Sequence, residues 1–208
     1  MRMIRPMVGA LAAVLVSASY AGAQACTGNT PFANGRWALG GEGSFQDGAN
    51  RFGAVGAYGA PKSWYATATI GNTSVKGGGS SATDFGGTFG YQIPVGDSPL
   101  ELCPYAHAGY QTFTGGNGTI YGVGGAIGWP NHVSDDFDFI PAVGLQYNGT
   151  SVKVDGLSGS ATDSFTSFYF NAGLILNKQW GIVPGISKTS RSGSKAVFNI
   201  GVTYNFGK

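Results

Sequence analysis

His107 is the residue of this chain best suited to acid–base chemistry, and Glu42, Glu101 and Gln111 are the polar residues that could stand beside it. An imidazole next to carboxylates can move protons at neutral pH. No serine or second histidine is spaced to complete a catalytic set, and His132 falls in a turn. The expectation is therefore a buried polar network without catalysis. Arg36, Glu101 and Asp138 should lie at one level of that network, and Arg51 and Asp84 at another, as structural charge pairs before any ion filter. Cys26 and Cys103 are the only cysteines. In an oxidising compartment they can form a disulfide; two free thiols or a lipidated Cys26 are the alternatives. Ser134–Asp138 holds three carboxylates but no glycine at a calcium-loop spacing, so it reads as a solvated turn. Gly122–Gly128 has glycines in the manner of a nucleotide loop but no helix to follow, which makes it a glycine-rich strand. No metal or cofactor is implied.

These residues can meet only if the elements carrying them wrap around a common interior. In the last strand, Ala196, Phe198, Ile200, Val202, Tyr204 and Phe206 share one face, and Val197, Asn199, Gly201, Thr203 and Asn205 the other. Nine further alternating stretches precede it: Arg36–Phe45, Arg51–Gly59, Trp64–Thr73, Asp84–Ile93, Leu100–Thr112, Thr119–Trp129, Phe137–Asn148, Thr166–Leu176 and Trp180–Lys188. Each is long enough, at about 9–11 residues, to cross a bilayer once the sheet closes on itself. In the stretch with His107, that residue alternates with apolar neighbours and so points inward with Cys103 and Gln111.

The N-terminus reads as a secretory signal over residues 1–25. Arg2 and Arg5 precede the apolar run Val8–Val16, and Ala21-Gly-Ala23 or Ala23-Gln-Ala25 supplies the cleavage site. Removing Arg2 and Arg5 from the twelve basic residues leaves ten against ten acidic ones, so the mature chain is neutral and carries no nucleic-acid footprint. Charged residues are 11% of the chain, against roughly 25% in a soluble domain. After the signal, no apolar run is long enough for a spanning helix. Residues 26–35 form a polar N-terminal segment and 36–208 one all-β domain.

If the last strand runs down toward the periplasm, outside connections should be the long ones. Gly149–Phe165 and Ser74–Thr83, the longest, both fall outside; the other outside connections are Gln46–Asn50, Phe113–Gly118 and Thr189–Ser194. Trp37, Trp64, Trp129, Phe137 and Trp180 cluster near inside ends, with Tyr204 and Phe206, while Phe45, Phe52, Phe85 and Tyr147 lie near outside ends. Two such belts are the aromatic girdles of a membrane barrel. Pro104, Pro141 and Pro184 interrupt stretches and should mark bulges or ends.

The cleaved signal, the two-periodic ladder and the closing Val202-Thr-Tyr-Asn-Phe206 resemble the small outer-membrane β-barrel family, which includes opacity-type surface proteins and OmpA/OmpX-like barrels. The resemblance covers Arg36–Phe206 and brings no catalytic motif. It implies a transmembrane antiparallel up-and-down β-barrel in the outer membrane; the ten alternating stretches give it ten strands, with the family's common eight as the alternative. It also implies contact with outer-membrane lipid and recognition of the strand ending at Phe206 by the barrel-assembly machinery, although here Gly207 and Lys208 follow it. The expected role is structural, or interaction with an extracellular ligand through the outer loops, with no enzymatic activity. A narrow passive pore is the second reading, because inward Gly, Ala, Thr and Asn would leave room for water. A soluble secreted β-sandwich is the third.

Overall fold

A computed structural model describes Cys26 and residues 36–60, 64–77 and 81–206. The signal and most of the polar segment after it lie outside the described residues. Ten long strands form the wall: β1 (Arg36–Gln46), β2 (Ala49–Gly59), β3 (Trp64–Val75), β4 (Ser81–Tyr91), β6 (Glu101–Phe113), β7 (Gly116–Gly128), β9 (Phe137–Val154), β10 (Ala161–Leu176), β11 (Trp180–Thr189) and β12 (Val197–Phe206). Two short strands, β5 (Ile93–Pro94) and β8 (Asn131–Ser134), pair with β6 and β9 at the terminal end of the barrel, where β1 begins and β12 stops. Every long strand is antiparallel to both its neighbours, and β1 closes the ring against β12 over Trp37↔Phe206 to Phe45↔Phe198. Closure leaves no edge with unpaired backbone groups, which is what a bilayer requires of a sheet. The eight-strand alternative is thereby excluded. So is the sandwich, because a single ring has no second sheet to cover its outer face.

That outer face is apolar. Trp37, Leu39, Ile70, Phe85, Val143, Tyr147, Phe168 and Phe198 are all about half exposed, although a soluble core would have buried them. At the terminal end, the rings of Trp37, Tyr58, Trp64, Phe89 and Tyr91 follow one another at centroid separations of 4.8 to 5.9 Å. Trp180, Tyr204 and Phe206 continue the belt at 5.0 and 4.9 Å. At the other end Phe45 meets Phe52 and Phe198, and Phe85 meets Tyr110.

Two sequence expectations are corrected. The segments read as long outer loops are largely strand: β9 continues to Val154 and β10 begins at Ala161, so 155–160 alone connect them, and β3 and β4 likewise extend into Ser74–Thr83. Beyond the aromatic belt the outward residues become Thr, Ser and Asn, so the apolar alternation that signals a strand stops while the backbone ladder goes on. The prolines mark neither bulges nor ends. Pro104 faces Gly125, Pro141 faces Ala172 and Pro184 faces Ile200 in unshifted register. A strand residue spends its N–H on one neighbour only, so proline costs a single ladder bond without moving the register. The β10–β11 ladder leaves two pairs unmade beside Pro184, passing from Asn171↔Gly185 to Leu174↔Ile182 in unchanged register.

Candidate functional site: the lumen

The inward side chains sort into two polar clusters on opposite walls and an apolar layer at the terminal end. On the β1–β4 wall, Arg51 lies between two carboxylates. Its Nε donates to Asp84 Oδ1 at 3.0 Å and its Nη2 to Asp84 Oδ2 at 2.7 Å, a forked contact, while Nη1 donates to Glu42 Oε1. The guanidinium can lie flat against the wall because Gly71 stands between β2 and β4. A Cβ built on Gly71 would come within 2.5 Å of Arg51 Nη2. Arg51 and Asp84 are each 1% exposed.

On the β6–β9–β10 wall the polar groups are neutral. Tyr105 donates its hydroxyl to Gln146 Oε1 at 3.0 Å. Gln146 Nε2 lies 3.2 Å from His107 Nε2 and also reaches Asn148 Oδ1. Asn148 Nδ2 donates to Ser167 Oγ at 3.1 Å. With Nε2 accepting from the amide, the ring proton of His107 sits on Nδ1, which has no hydrogen-bond partner among the described residues.

This arrangement differs from the single network expected around His107. Glu42 belongs to the Arg51 triad. Glu101 accepts from Gln92 Nε2 at the terminal rim, and Asp138 pairs with His132 Nδ1 at 2.8 Å. Gln111 stands opposite Asp84 in the ladder, 1% exposed, with both amide atoms unpartnered. Arg36 opens β1. Facing one way was not enough to bring these residues together, because barrel register separates them in height and around the ring. Gln146, Asn148 and Ser167, which join His107 in one chain of hydrogen bonds, are visible in the sequence as inward polar positions, but only the β9–β10 register aligns them.

At the terminal end Cys26 and Cys103 form a disulfide, with Cα atoms 5.9 Å apart. Both are fully buried and pack with Ala126, Tyr169 and Tyr105, all inward-facing, so Cys26 occupies the lumen beside β6. Cys26 Sγ lies 3.3 Å from the Glu101 carbonyl. Several inward glycines are filled by neighbouring side chains, contrary to expectation, although Gly201 on β12 does face open space. Tyr169 lies across Gly144 as Arg51 lies across Gly71, where a Cβ on Gly144 would come within 2.1 Å of the ring. Small residues on one strand make room for a large one laid flat from the next.

A closed antiparallel ring, apolar outside between two aromatic belts and polar inside, defines the class: this is a β-barrel of the outer-membrane type. No protein-family model and no curated protein matches the chain. The β domain of the Bordetella autotransporter BrkA has the same fold, with a TM-score of 0.60 at 11% identity over 83% of this chain and 99% of that one. The translocator domain of the autotransporter NalP from Neisseria meningitidis matches at 0.44 and 15% identity over 99% of this chain and 98% of that one. The NanC porin matches at 0.44 and 13% identity over 81% and 98%. The fold assignment rests on the first of these.

Proposed function

We propose that this protein is an exported outer-membrane barrel whose role is structural and surface-presenting, and that its lumen does not conduct. The observation that supports this is the inaccessibility of the lumen lining. Arg51, Tyr65, Thr73, Gln111, Asn148 and Asn205 are each at most 2% exposed, although they face the barrel axis from five different strands. Water filling a pore would have touched them. A ten-strand ring encloses little room in any case, since wide aqueous channels take about 16–18 strands. The surface presented outward is the strand-borne outer rim, chiefly the β9–β10 hairpin, in place of mobile loops. Insertion would use the β12 strand ending at Phe206, through the barrel-assembly machinery. We assign no catalytic step: the hydrogen bond of His107 leads to the amide of Gln146, and no carboxylate hydrogen-bonds to it among the described residues. The test is planar-bilayer recording with the full chain refolded in detergent and shown to migrate as a heat-modifiable barrel. A silent bilayer is expected, and stepwise ohmic conductance would replace this reading with the narrow pore.

A further inference from the structure

The disulfide between Cys26 and Cys103 lies where no folded protein can reach it. Both residues are fully buried on the lumen side of β6. Tyr105 from β6 itself, Ala126 from β7 and Tyr169 from β10 pack around the pair, and Cys26 Sγ lies against the Glu101 carbonyl. Strands spaced about 4.8 Å apart and tilted by about 40° make a ten-strand ring about 20 Å across, measured between backbones. A folded domain of about 100 residues has a radius of gyration of about 13 Å, so it is wider than the ring. Thiol–disulfide exchange requires the attacking sulfur to touch one sulfur of the bond being broken. A protein oxidant therefore meets these thiols only while the ring is open.

The order of the strands leaves such an interval. The ring shuts when β1 pairs with β12, from Trp37↔Phe206 to Phe45↔Phe198, so closure waits for the last strand. The bond spans 77 positions and ends on β6, so it needs nothing that β7 to β12 supply. These are the chain's only cysteines. No wrong pair can form within one chain, and the step calls for an oxidant without an isomerase.

We propose that the open exported chain is a substrate of a dithiol-oxidising protein that carries a reactive disulfide, and that this oxidation precedes ring closure; the proposal rests on the outer-membrane reading above. One cysteine thiolate of the chain attacks the carrier's disulfide, giving a mixed disulfide and a carrier thiolate. The second cysteine thiolate then attacks the chain sulfur of that mixed disulfide. The Cys26–Cys103 bond forms, and the carrier leaves as a dithiol with the two electrons and two protons that the chain has given up. Closure around the bonded chain then carries Cys26 into the lumen.

The order is tested in cells expressing the full chain. After a pulse of label, the chain is separated unheated into its heat-modifiable and unshifted bands, and each band is denatured and its free thiols tagged with a maleimide. The bonded chain should appear first in the unshifted band and later in the barrel band. A barrel band that still takes two tags and is oxidised afterwards overturns the proposal. Access is tested on the purified wild-type protein in the reverse direction. The barrel in neutral detergent, and the same oxidised chain unfolded in urea, are each given a thioredoxin-type protein in its dithiol form. Reduction of the barrel should be at least about a hundredfold slower, because it has to wait for the wall to open. Equal rates on a heat-modifiable barrel overturn the oxidation order alone, whereas a wild-type chain with no heat shift sinks the barrel reading as well.

Discussion

On the β1–β4 wall the lumen buries a guanidinium between two carboxylates; on the facing β6–β9–β10 wall it buries a tyrosine, a histidine, two amides and a serine, all neutral. Both are chains of side-chain contacts closed off from water, yet they depend on their members in different ways. In the charged triad each ion is tolerated because its partner is present, so deleting one strands the others at a cost of about 3–5 kcal/mol. In the amide chain a deletion leaves a neutral orphan, at about 1–3 kcal/mol. The triad thus concentrates its dependence in Arg51, whereas the neutral wall spreads it over several residues.

The comparison breaks most readily at Arg51. Arg51→Ala should lower barrel stability by about 3–5 kcal/mol, read as a shift of the urea midpoint for heat-modifiable migration, because Glu42 and Asp84 then face each other without a counter-charge. Replacing the whole triad at once (Glu42→Gln, Arg51→Met, Asp84→Asn) should recover most of that loss, since the stranded charges go too. A triple variant as unstable as the single one would show that packing, not charge, makes Arg51 necessary.

A smaller effect is expected where the walls use glycine. Gly71→Ala places a methyl group against the Arg51 guanidinium and Gly144→Ala one against the Tyr169 ring, each costing about 1–3 kcal/mol of overpacking. The first should be relieved when Arg51 is also shortened. A double-mutant cycle with no coupling would separate the glycine from the ion pair. On the neutral wall Asn148→Ala should cost about 1–3 kcal/mol, by taking one partner from Gln146 and the Asn148 amide from Ser167, and should leave the Arg51 contacts unchanged.

The smallest effect lies outside both walls. Asp47, in the turn between β1 and β2, accepts from Lys195 in the β11–β12 connection. That hydrogen bond, and then the Lys195 charge, hold its carboxyl below the ordinary 3.8. A lowered acid contributes stability above its unfolded value and loses it as pH falls through the lower folded one. Amide exchange in residues 190–196 should therefore be unchanged near neutrality and speed up only on acidification below about pH 4. Because the pair is fully exposed, salt should produce a similar loosening. Acidification that loosens the lumen walls first would reverse the ranking.

Much of this was legible in the chain. Trp64, Ala66, Ala68 and Ile70 alternating with Tyr65, Thr67 and Thr69 is enough to show a strand and its two faces, and the same period picks out His107, Gln111, Gln146 and Asn148 as inward. Strand ends were less legible. Thr162 and Ser164 look like loop residues because a strand facing headgroups needs no apolar side chains, although its backbone is still paired with β9. The partners of the lumen residues were the least legible. Glu42 and His107 both face inward, yet one joins Arg51 and the other Gln146.

The amino-acid sequence by itself determined the class of the fold, the direction of each side chain and the two aromatic belts, because period-two alternation is a local property of an extended backbone. The tertiary structure alone decided the number of strands in the ring, which glycine lies under which large side chain, and which buried polar groups meet. Those depend on the register between strands far apart in the chain, and a shift of one residue would have turned every inward group out toward lipid.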